Sequence, residues 1–196
     1  MDKKESSKSF GAKQIAMTGI LLAICIVSQV FKNLSIFITG PIINACLVLA
    51  VMMANLPCAL ALCVITPVTA FFIAASPVMM AVPGIVPLIM AGNAVLVVSF
   101  HFLLRKDLTD SEFPPVKPKH LIKAVICAAL KGLFMGLTIA LWLLPTFISP
   151  ESKIYKMMPV FQKTFSLYQF LTACIGFVYV FFIFAINKHI PEQNNN

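Results

Sequence analysis

Acidic residues are scarce in this chain. Only seven of its 196 residues are Asp or Glu, and none of them (Asp2, Glu5, Asp107, Asp110, Glu112, Glu151 and Glu192) falls inside a long apolar run. A carrier that couples transport to protons or sodium through intramembrane carboxylates has little to work with here. A Walker A loop, H-E-x-x-H and G-x-S-x-G are missing as well. The chain is therefore not expected to be an enzyme or to supply its own motive force. His101, His120 and His189 have no partner carboxylate at intramembrane depth and read as interfacial residues rather than acid–base catalysts.

Charge as a whole is sparse, at 11% of residues against about 25% in soluble domains. Hydrophobic residues make up 60% and the mean hydropathy is +0.94, so the fold class expected is an all-α integral membrane protein. The net charge of +8 comes without any motif that reads RNA or DNA, which removes nucleic acid as a partner. Its meaning is topological. The six cysteines, Cys25, Cys46, Cys58, Cys63, Cys127 and Cys174, form neither a C-x-x-C nor a Cys/His cluster of zinc-site spacing. They read as small buried hydrophobes, and no metal is expected. The apolar stretch after the basic N-terminus is long for a signal peptide and ends in no A-x-A-like site, so it is kept as a span.

A spanning helix needs about 20 apolar residues. Six runs satisfy this within one domain covering 1–196: about 14–31, 41–55, 57–76, 84–104, 120–144 and 165–187. The second and third runs are separated only by Asn55, Leu56 and Pro57, which predicts a tight helical hairpin. Pro67 should kink the third helix, with Thr66 and Thr69 beside it to re-satisfy the loosened backbone. Pro77, Pro83, Gly84 and Pro87 predict a short rigid loop before the fourth. The stretch 145–164, which mixes lysines with aromatics and methionines, reads as an amphipathic loop.

Lysine and arginine asymmetry sets the orientation. With the N-terminus in the cytoplasm, ten basic residues lie inside (Lys3, Lys4, Lys8, Lys13, Arg105, Lys106, Lys117, Lys119, Lys123 and Lys188) and four outside (Lys32, Lys153, Lys156 and Lys163). Both termini are expected in the cytoplasm of a multi-pass plasma-membrane protein. The helical rise of about 1.5 Å per residue then assigns depths. Ser28, Gln29, Asn44, Thr66, Thr69, Thr138, Trp142, Tyr168, Gln169 and Thr172 fall in the outer half, and Asn93 near mid-depth. Thr18 and Ser99 are the main polar residues of the inner half.

This asymmetry argues for a solvated outward cavity that reads a small molecule through amides and hydroxyls. Asn44, Asn93, Trp142, Tyr168, Gln169 and Thr172 are its candidate residues, with Phe170 offering further flat apolar surface. The competing reading is interhelical glue, at about 0.6 kcal/mol per hydrogen bond. Lys131, the only charge well inside a run, is a further candidate; it can counter an anionic ligand, contact a partner or snorkel. The Pro41-to-Asn44-Ala45 and Pro87-to-Asn93-Ala94 segments echo one another, a likeness that apolar helices also produce by chance.

Small residues form two stripes. Ala12, Ala16, Gly19 and Ala23 recur at steps of four, three and four on one face of the first helix. Ala124, Ala128, Gly132, Gly136 and Ala140 do the same on the fifth. Such faces allow close helix association in lipid.

The layout, together with Ala12-Lys-Gln-Ile-Ala16, resembles the substrate-binding S component of a bacterial energy-coupling factor (ECF) transporter, whose first helix carries an AxxxA motif. The resemblance covers nearly the whole chain. It implies vitamin uptake: the S component captures a micronutrient outside and topples in the bilayer to deliver it. It also implies docking of the Ala12 stripe on a transmembrane T component driven by two ATPases, with ATP used by those partners and no cofactor on this chain. Because Ala12 precedes the apolar run, the docking register can instead be Ala16 with Gly19, or Gly19 with Ala23. Two other readings stand beside it: an assembly protein without a small-molecule ligand, and a membrane enzyme acting on lipids or prenyl groups, against which the missing acidic and histidine clusters count.

Overall fold

The computed structural model describes residues 11–31, 35–109 and 117–188. Lys3, Lys4, Lys8, Lys32 and His189, which figured in the topology and interface expectations, lie outside them. The described chain has no strand. Six of its helical segments are long and apolar enough to cross a membrane, so this is an all-α, multi-pass membrane protein.

The spans are built on α1 (Ala12–Val30), α2 (Ile36–Met53), α3 (Leu56–Ala74), α5 (Ile85–Phe100), which continues through π-helical turns at His101–Arg105, α7 (Pro118–Met135) and α10 (Leu167–Lys188). Short helices α4 (Pro77–Ala81), α6 (Lys106–Thr109), α8 (Leu144–Phe147) and α9 (Met158–Phe165) lie between or extend them. Six apolar spans were expected and six are present, with shifted ends. The second begins at Ile36 instead of residue 41, because Ser35 caps it by accepting from the Phe37 N–H at 3.1 Å, and Pro41 is carried inside the helix. Asn55 caps α3 through Cys58 N–H at 2.8 Å, with Pro57 in the first turn where a missing N–H does no harm. The expected proline-rich loop before the fourth span contains α4.

The fifth span departs from α-helical geometry. Gly136–Leu143 runs in wide, π-helical turns before α8 closes the span at Phe147. Wide turns displace backbone carbonyls from their usual donors, and Gln162 of α9 donates to the Ala140 carbonyl at 3.1 Å. The stretch 145–164 is thus more ordered than a loop. It contains a 3₁₀ turn, Lys153–Met157, and α9, which folds back along the wide turns.

Two apolar cores result. The larger is built on Leu47, Leu62, Leu96, Phe100, Ala128 and Phe177. The smaller packs Met79, Ile85, Met135, Ile139, Leu144 and Phe165 where α4 and α9 cover one end of the bundle. Lys131 lies in sequence between Ala128 of the first core and Met135 of the second. Close backbone approach holds the layer between them together. A Cβ on Gly176 of α10 would stand 2.9 Å from Asn44 Cβ and 3.0 Å from the Pro41 carbonyl, and one on Gly40 of α2 would stand 2.9 Å from Thr172 Cγ2. Glycine at these two positions lets α2 and α10 touch.

Candidate functional site

Between the two cores lies a cavity of about 200 Å³. Its lining comes from the C-terminal parts of α1, α3 and α7, the N-terminal parts of α2 and α10, the first half of α5, and α4 and α9. All these helix portions belong to the half of the bundle away from the start of α1, the half that the lysine asymmetry assigns to the outside.

At its centre is Lys131, 2% exposed. Its ammonium donates to Asn44 Oδ1 at 2.6 Å and to Asn93 Oδ1 at 2.8 Å, so three helices, α2, α5 and α7, are tied at one atom. The distances select the amide orientation: each asparagine must turn its oxygen, the acceptor, toward a group that only donates. Asn44 Nδ2 then faces Thr172, donating to its Oγ1 at 3.4 Å, and Thr172 in turn donates to the Gln169 carbonyl at 3.2 Å. Burying a cation in a membrane is costly unless polar groups replace its water. Here two neutral amide dipoles do so, and no carboxylate does among the described residues. The two asparagines of the proline–asparagine echo are these two acceptors.

Gln29 of α1, 1% exposed and also in the lining, donates through Nε2 to the Thr66 carbonyl at 3.0 Å. Thr66 precedes Pro67, and its own hydroxyl donates to the Leu62 carbonyl at 2.8 Å while Thr69 donates to the Thr66 carbonyl at 3.0 Å. The threonines thus dress the proline site from both sides. Gln29 Oε1 is buried and has no hydrogen-bond partner.

The sequence candidates divide. Asn44, Asn93, Lys131 and Gln169 line the cavity, and Thr172 supports it through Asn44. Tyr168 does not line it; it packs against Phe37 with ring centroids 5.1 Å apart. Trp142 is 58% exposed on the outside of the fifth span, and Phe170 lines a separate groove with Gly132 and Gly136. Depth along a helix had assigned Trp142 correctly to its end of the span, but the π-helical turns at Gly136–Leu143 break the rotational phase that carries from Lys131. Gln29, Thr39, Thr66, Ser76 and Thr164 were not among the candidates and do line the cavity. For Gln29 the signal was available, an amide in an apolar helix.

The small-residue stripes also divide. On the fifth span the stripe is used internally: a Cβ on Gly132 would stand 2.8 Å from Phe170 Cβ, and Gly136 faces Ser166. On α1, Ala12, Ala16, Gly19 and Ala23 are all exposed, and nothing approaches the Gly19 Cβ position within 4 Å.

At the far end of the bundle Asp107 bonds Lys123 at 2.7 Å, with Lys119 at 3.6 Å and His120 at 4.0 Å. His120 has a carboxylate neighbour after all, but its Nδ1 accepts from the Lys117 N–H at 3.2 Å. That bond makes His120 a cap for α7.

No family model matches the chain, and neither the curated proteins nor the solved structures contain a match.

Proposed function

We propose that this chain is the substrate-binding subunit of an ECF-type importer in the plasma membrane, capturing a vitamin-like micronutrient from outside and passing it on with a T component and two ATPases. The observation that carries the reading is the cavity: a polar group of Lys131, Asn44, Asn93 and Gln29, set among apolar residues and hydroxyls in the half of the bundle that the lysine asymmetry assigns to the outside. A purely structural polar layer would satisfy its own groups, and here Gln29 Oε1 is left over. The second support is the stripe on α1, small side chains facing away from the bundle where a partner helix can approach.

Docking and capture then belong to separate surfaces. Ala16→Leu adds bulk to the exposed stripe, far from the cavity. Affinity purification of the tagged chain from its host membrane should recover a T-like subunit and ATPases with the wild type and much less of them with Ala16→Leu, while solute binding stays intact. Recovery of the same subunits with both proteins would remove the stripe from docking. A partner set without ATPases would favour the assembly-protein reading.

A further inference from the structure

We infer that the solute is a small carboxylate whose anionic group binds Lys131 and which carries an N–H or O–H donor for Gln29; the inference rests on the solute-binding reading above. The first argument is charge. Lys131 is fully enclosed, and both of its acceptors are neutral amide oxygens. Among the described residues, the acidic ones nearest to it along the chain are Glu151, exposed beyond α8, and Asp107, held by Lys123. Removing an ion from water costs several kcal/mol even after relaxation, and dipoles offset this less completely than an opposite charge does. A carboxylate arriving in the cavity supplies that charge.

The second argument is valence. An ammonium has three N–H donors, and the asparagines take two. Beyond these two bonds, the ionisable group that interacts with the ammonium is the Cys63 thiol, which is not an anion at neutral pH, and Lys131 lines the cavity where a third acceptor can arrive. A carboxylate oxygen completes the tetrahedron without displacing either asparagine, and charge-assisted bonds of this kind are about twice as strong as neutral ones.

The third argument is Gln29, a second lining residue with a group left over. Gln29 Oε1 is a buried acceptor without a donor, an omission that costs about 1–3 kcal/mol when it persists. A hydroxyl or amine on the solute removes it. The apolar part of the lining, Ile36, Ile43, Pro67, Met79, Ile89 and Phe165, suits a flat or short apolar body, and Thr39, Ser76 and Thr164 add hydroxyls beside it. The volume of about 200 Å³ lies below the roughly 300–1,000 Å³ of pockets for drug-sized ligands, so the acid is small.

The test is thermal unfolding of the full chain in detergent against matched acid and amide pairs at equal ionic strength: benzoate with benzamide, nicotinate with nicotinamide, butyrate with butyramide, and the hydroxybenzoates with their amides. A ligand that binds only the folded state raises the midpoint. At least one acid should stabilise the wild type with an affinity at least ten times that of its amide. Lys131→Met, close in shape and uncharged, should erase that difference. Gln29→Leu should weaken a hydroxybenzoate and leave plain benzoate unaffected. If Lys131→Met does not fold, the wild-type pairs decide alone. Amides that stabilise as well as their acids overturn the anionic assignment and leave solute binding standing. If no acid stabilises, the assignment fails, and solute binding falls with it only if protein taken from host membranes also carries no small bound mass.

Discussion

Lys131 and its two asparagines form the most consequential contact in the molecule, because each member is costly without the others. Asn93→Leu leaves the ammonium with one acceptor, and hydrogen bonds to charged groups contribute about 1.5–3 kcal/mol. In detergent unfolding this variant should therefore lose about 2 kcal/mol. The same substitution in a Lys131→Met background should be nearly neutral, because no cation remains to be satisfied. A double-mutant cycle reads the difference, with coupling above about 1 kcal/mol expected for groups in contact. Additive effects would mean that Asn93 acts by packing alone. The sequence marked all three residues as polar groups in apolar runs and set Asn93 near mid-depth. Which way each pointed was not legible, because rotation about a helix axis is fixed by neighbouring helices, and those contacts are long-range.

Among the elements, α2 and α10 depend on each other most visibly. Gly176→Ala would drive a methyl into Asn44 Cβ and the Pro41 carbonyl at about 3 Å. Overpacking of this kind costs typically about 1–3 kcal/mol, and by separating α2 from α10 it should also disturb the Asn44–Thr172 bond. Gly19→Ala makes the contrasting control: its Cβ meets nothing, and alanine is the better helix former by about 1 kcal/mol. Paired melting curves should show a lower midpoint for the first and an unchanged or higher one for the second. Equal loss in both would contradict the assignment of α1's stripe to the outside of the fold. The six apolar runs were readable because length and hydropathy are local properties. The π-helical turns at Gly136–Leu143 and the fold-back of α9 were not, since they meet through long-range contacts such as Gln162 donating to the Ala140 carbonyl, between residues 22 apart. Trp142, expected in the site and found on the outside, is the visible consequence.

The whole molecule has a cavity in one half, a cluster of Asp107 with Lys119, Lys123 and His120 in the other, and an exposed stripe of small residues along the side of α1. The lysine asymmetry assigns the cavity half to the outside. Ser149, exposed between α8 and the 3₁₀ turn, should as Ser149→Cys react with a membrane-impermeant maleimide on intact cells, and Lys119→Cys should react only after lysis. The wild type sets the background, since its described cysteines are buried apart from the half-buried Cys174. Labelling in the reverse order would invert the topology and turn the cavity to the cytoplasm.

The most direct measurement is native mass spectrometry of the tagged chain released gently from its own host membrane. Capture of a solute predicts a small added mass on the wild type, absent from Lys131→Met, together with subunits of an ATP-driven partner. A bare chain with neither, from a preparation in which a known ECF complex survives, would contradict the account.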